Sequence, residues 1–139
     1  MKRIRSVVAA CVIATAFSSI AAEPGKEQAA VAAAEKWVVL VDSGKYAESW
    51  QETAEYFRNA VKQEQWTQLA QAVRKPLGKL VSRKVKTSTY KTAVPGAPDG
   101  EYVVIRFETS FENKKVAIET VTPMMDKDGT WRVSGYFIK

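Results

Sequence analysis

The chain has 139 residues, room for one domain of ordinary size, and its 46% hydrophobic content is too high for a disordered chain. Lys and Arg number 21 against 15 Asp and Glu, a formal charge of +6, with one cysteine and no histidine. That composition excludes an internal disulfide framework and removes most metal sites and most nucleophile–histidine catalysis.

Residues 1–22 have the layout of a secretory signal peptide. Lys2, Arg3 and Arg5 form a positive start, an uncharged run covers residues 6–17, and small residues follow at Ser18, Ser19, Ala21 and Ala22. Cleavage is expected after Ala21 or Ala22. The uncharged run falls short of the ~20 residues that span a bilayer, so no stable membrane span is expected after cleavage. Val8-Ala9-Ala10-Cys11 has the outline of a lipoprotein box, but Val12-Ile13-Ala14 continues the apolar run where a lipidated cysteine would open a polar linker. Cys11 therefore reads as part of that run. Without the leader, basic residues outnumber acidic ones by three, which gives no case for nucleic acid as a partner. Residues 23–139 are expected to form a single domain.

The spacing predicts a first helix over residues 27–43, with Ala30, Ala34, Trp37, Val38 and Val41 on one face and Gly44 ending it. A second is predicted over 46–61, with Tyr46, Trp50, Phe57 and Val61 on one side and Thr53 as its weak point. A third covers 63–74 with Trp66, Leu69, Ala70 and Val73 as its stripe, and Pro76 stops it. Beyond Pro76 the period changes to two. Strands are predicted over 79–92, 102–111, 116–125 and 131–138, with a Pro/Gly-rich loop at 95–100 and a hairpin turn at 126–129. Val103, Ile105, Phe107, Phe111, Val116, Ile118, Met124, Trp131, Val133 and Phe137 would face inward. About three helices packed on a four-stranded antiparallel meander make an α+β domain, nearest to a cystatin-like or NTF2-like cone.

Three stretches carry a closer resemblance: 37–50 (WVVLVDSGKYAESW), 95–104 (PGAPDGEYVV) and 128–139 (DGTWRVSGYFIK). They resemble a bacterial family catalogued as domain of unknown function 4019. The resemblance spans nearly all of the mature chain and implies a secreted or periplasmic bacterial protein. It brings no activity and no catalytic residues.

The second sheet face would carry Tyr102, Arg106 and Glu108 on one strand, Glu119 on the next, and Arg132 and Tyr136 on the last. A turn centred on Glu112-Asn113 sets Arg106 opposite Glu119 and Phe107 opposite Ile118; a turn one residue later sets Glu108 against Glu119. Opposite charges across a strand pair contribute ~0.2–1 kcal/mol and like charges oppose pairing, which favours the first register. The four-residue loop at 126–129 then brings Tyr136 beside Glu119. Tyr102, Arg106, Glu108, Glu119, Arg132 and Tyr136 thus form a candidate site for a polar ligand or partner. The alternative is a solvated face with one ion pair.

Arg74, Lys75, Lys79, Arg83, Lys84 and Lys86 lie in a stretch without acids. They would contact an anionic surface such as lipid head groups or envelope polysaccharide, or else guard an edge strand against pairing. Acid–base candidates are Glu108, Glu119, Tyr90, Tyr102 and Tyr136, placed by this reading away from the apolar interior, so no catalysis is expected. Asp126-x-Asp128-Gly129 lacks the third ligand and distal glutamate of a calcium loop and reads as a turn, so no metal and no cofactor is expected. The four tryptophans read as core. The expectation is an exported, non-catalytic binding module, periplasmic or secreted, docking an envelope protein through the polar sheet face or the edge strand. The alternative is a small apolar ligand held between helices and sheet.

Overall fold

Alanine and valine at helical spacing carry the first helix, α1 (Pro24–Asp42), in a computed structural model that describes residues 24–139. The leader, Cys11 and the cleavage point lie outside the described residues. Ala30, Ala34, Trp37, Val38 and Val41 are all buried. Gly44 closes the helix at φ +72°, where a Cβ would be strained: its N–H reaches the Val41 carbonyl (3.1 Å) and that of Lys45 the Leu40 carbonyl (2.9 Å). The second predicted helix does break at Thr53, giving α2 (Tyr46–Gln51) and α3 (Glu55–Ala60). At the break Thr53 bridges to Val133 and the Ala54 N–H donates to the Val133 carbonyl (2.8 Å). α4 (Gln63–Arg74) runs into a 3-10 turn, Lys75–Leu77. Its buried stripe is Trp66, Ala70 and Arg74; Leu69 and Val73, predicted to be inside, are exposed.

Four strands follow: β1 (Leu80–Lys91), β2 (Tyr102–Phe111), β3 (Lys114–Met125) and β4 (Trp131–Ile138). They form one antiparallel sheet in sequence order, so the chain is α+β with helices preceding a meander. α1 lies against all four strands. Its apolar face packs on Val103, Ile105, Phe107, Val121 and Val133. Trp37, Trp66, Phe57 and Tyr136 stack within this core, ring centroids 5.3–6.1 Å apart. Among the described residues no helix is long and apolar enough to cross a membrane.

The register corrects two expectations. The β2–β3 turn does centre on Glu112-Asn113, with Phe111 opposite Lys114, but a bulge at Lys115-Val116 then shifts the pairing by one residue. Phe107 therefore faces Glu119, and Arg106 faces Thr120. Ala117, Glu119 and Val121 turn inward, while Val116 is 84% exposed. A second irregularity lies where Pro123, which has no N–H for the ladder, meets β4. Ser134 is the extra residue there, so Trp131 and Val133 face inward as expected but Tyr136 replaces Phe137, which is 52% exposed. Two further bulges, at Val81 and Lys86, interrupt β1.

Candidate functional site

The six residues predicted to share one sheet face occupy four separate places. Glu119 and Tyr136 lie inside. Arg106 and Glu108 lie on the face away from the helices. Tyr102 is buried, its hydroxyl donating to the Pro98 carbonyl of the 95–100 loop. Arg132, beside the hairpin turn, donates to both oxygens of Asp128 (2.7 and 2.8 Å) and to Asp126 (3.3 Å). The bulge puts Arg106 and Glu119 on opposite faces, so the row loses Arg106; Tyr136 does lie beside Glu119 as expected, but on the inner face.

The interior holds a charge-balanced cluster that sequence reasoning missed. Glu119 is 0% exposed. Its Oε1 accepts from Arg83 Nε (2.7 Å) and Thr109 Oγ1 (2.6 Å), and its Oε2 from the Tyr136 hydroxyl (2.6 Å). Arg83 also makes a two-pronged bond to Asp42 (2.7 and 2.9 Å), and Arg74 Nη2 donates to Asp42 at 2.8 Å. The guanidinium of Arg74 lies over the Phe111 ring, 4.8 Å from its centroid. Its Nε is buried without a partner. Two cations thus neutralise two carboxylates out of water, where an unpaired charge would be costly. Burial alone would raise the Asp42 carboxyl, but the bonds from Arg83 and Arg74 outweigh it and hold the group below its ordinary value. Burial and the Glu119 charge push the Tyr136 hydroxyl far above the usual phenol range. Both Glu119 oxygens are engaged and the side chain is fully enclosed. Tyr90, another acid–base candidate, donates to Glu101 (3.0 Å), which also pairs with Lys26 (2.8 Å).

The cluster also divides the predicted basic patch. Arg74 and Arg83 are drawn inward; Lys75 and Lys79 stay exposed near the β2–β3 turn. Lys84 and Lys86 share the Glu108 carboxylate on the open face, at 3.1 and 3.9 Å. The i, i+4, i+8 spacing of Trp66, Ala70 and Arg74 was the available signal that Arg74 points inward.

On the open face, a shallow trough of about 550 Å³ is lined by Lys84, Lys86, Glu108, Lys115, Val116 and Ile118. Arg106 stands in the next row, beside Thr120 and Phe137. Neither Arg106 nor Lys115 meets an acid among the described residues. A second depression, about 760 Å³, lies between α1, α2 and the start of β4, with Trp37, Leu40 and Trp131 among its walls. Deeper between helices and sheet lie the aromatic stack and the charged cluster. Arg132 engages both Asp126 and Asp128: its hydrogen bonds hold Asp128 at about 2, while Asp126, which burial alone would raise, is held below the ordinary range by the N–H groups of Lys127 and Glu55 together with Arg132.

The profile of a family described as "Protein of unknown function (DUF4019)" matches residues 33–136. No curated protein and no solved structure matches the chain.

Proposed function

The chain belongs to the DUF4019 family of proteins of unknown function, and from that premise we propose that it is an exported, non-catalytic binding module of the bacterial envelope that docks an acidic protein on its open sheet face. The observation that carries this reading is the make-up of that face. Lys84, Lys86, Arg106 and Lys115 surround one carboxylate, Glu108, next to exposed Val116 and Phe137. Cations around apolar side chains suit a partner with acidic groups around an apolar patch, and an arginine at such a place is a common anchor. Two copies of this face would set cation against cation, which disfavours self-association through it. The saturated state of Glu119 supports the non-catalytic part. The leader-like residues 1–22 support export to the periplasm or beyond. Helices preceding a four-stranded meander and covering one face support kinship with cystatin-like or NTF2-like domains.

The face is preferred over the edge. β1 is bulged at Val81 and Lys86 and carries Lys84, Lys86 and Lys91, with Lys79 just before it, devices that discourage strand addition. The test is capture from envelope extract on the immobilised chain, beside an Arg106→Glu variant. An acidic protein retained by the wild type, released as salt rises, and weakened about tenfold or more by the variant is the expected result. Retention that the variant leaves intact, or binding to anionic lipid vesicles in place of any protein, would contradict the proposal.

A further inference from the structure

The depression between α1, α2 and β4 is a different surface, and the argument for it does not depend on the open face. Three of the four tryptophans have their indole N–H bonded inside the protein: Trp37 to the Ser49 carbonyl, Trp50 to the Val61 carbonyl and Trp66 to Ser49 Oγ. Trp131, partly exposed in this groove, has no such partner among the described residues. Buried tryptophans ordinarily find an acceptor for that N–H; the Trp131 N–H is not among the buried atoms and stays open to a ligand. Around it lie Lys36, Leu40, Glu48, Gln51 and Glu52. Arg132 is also in the wall, but Asp126 and Asp128 already claim its charge.

We propose that this groove is a binding site for a neutral saccharide. The lining offers donors (Trp131, Lys36), acceptor-only groups (Glu48, Glu52) and an amide that does both (Gln51), within one cavity walled by Trp131 and Leu40. A ligand matching that set must carry donors and acceptors closely interspersed, together with an apolar C–H face. Sugar hydroxyls and the flat side of a pyranose ring supply both. An anionic ligand is disfavoured, because two free carboxylates face the single uncommitted cation. The volume of about 760 Å³ suits a di- or trisaccharide.

The test is an NMR titration of the ¹⁵N-labelled chain with maltotriose, cellotriose and the trimer of N-acetylglucosamine, following the Trp131 indole N–H. One of the three is expected to shift that signal saturably, together with amides of residues 33–40, 48–52 and 130–133. Trp131→Phe keeps an aromatic ring and removes the N–H. The surface pair Gln51→Ala with Glu52→Ala leaves the core untouched. Each should weaken binding about tenfold, a single lost hydrogen-bond set. Arg106→Glu should bind the sugar as the wild type does, which separates this result from the fate of the open face. A Trp131 signal unmoved by all three sugars up to about 10 mM overturns the proposal, that being the weak limit of useful affinity. So does sugar binding untouched by both variants, or a hexose phosphate that binds more tightly than the neutral sugars.

Discussion

Glu119 shows how one side chain depends on its surroundings. Removing it by Glu119→Ala strands Arg83 partly and Tyr136 wholly without their acceptor, and a broken buried pair costs ~3–5 kcal/mol. Denaturant unfolding should show a loss of that size. Replacing both partners with apolar side chains, Arg83→Met with Glu119→Leu, should cost less than Glu119→Ala alone, since neither charge is then left buried and unpaired. The pH dependence follows from the shifts. Asp42 is held below its ordinary value in the folded chain, so its contribution is complete above the ordinary carboxylate range and is lost as pH falls through the lowered folded value. Tyr136 is shifted upward, so its contribution is complete below the ordinary phenol range near 10 and declines as pH rises beyond it. Stability measured against pH should therefore be flat around neutrality and fall at both ends. Asp42→Asn should flatten the acid limb, and Tyr136→Phe the alkaline one.

Among the elements, α2 is held by one small residue. Ser49 is fully buried; its carbonyl accepts from Trp37 and its hydroxyl accepts from Trp66 while donating to the Tyr46 carbonyl (2.6 Å). Ser49→Ala leaves the Trp66 N–H unsatisfied and should cost ~1–3 kcal/mol, seen as a lower denaturant midpoint with an unchanged slope. The elements themselves were legible in the sequence. The α1 stripe, the break at Thr53 and the bounds of β2 and β4 all follow from apolar spacing and turn residues. Strand parity was not fully legible. Pro123 in a central strand does signal a bulge, because it cannot serve the ladder. The bulge at Lys115-Val116 leaves no comparable mark: Val116 and Ile118 alternate as an inward strand would, and only tertiary packing selects Ala117, Glu119 and Val121 instead. That one-residue shift exchanges the faces of the later β3 side chains and parts Glu119 from Arg106, while the separate bulge at Ser134 turns Tyr136 inward. Arg74 and Arg83 were misread for a related reason. A basic run reads as surface until the acids that draw it inward, distant in sequence at Asp42 and Glu119, are placed.

For the molecule as a whole, the helices and the charged cluster occupy one face of the sheet; on the other the 95–100 loop covers Tyr102, and the stretch around Arg106 and Glu108 stays open. On the inner side the four charged groups of the cluster are bonded to one another, with only the Arg74 Nε left without a partner among the described residues, and aromatic rings pack beside them. Among the described residues the outer side keeps Arg106 and Lys115 without acidic partners and Val116 and Phe137 exposed. Glu119 is enclosed within the cluster, whereas Arg106, Val116 and Phe137 are exposed. The most direct measurement is photocrosslinking in the cell of origin, with a photoreactive benzoylphenylalanine at Phe137 and, as control, at Leu69 on the exposed side of α4. The account predicts a crosslink to an acidic protein from position 137 that disappears with Arg106→Glu, and none to that protein from position 69. A partner captured from position 69 in place of 137, or a crosslink at 137 that Arg106→Glu leaves unchanged, would contradict it.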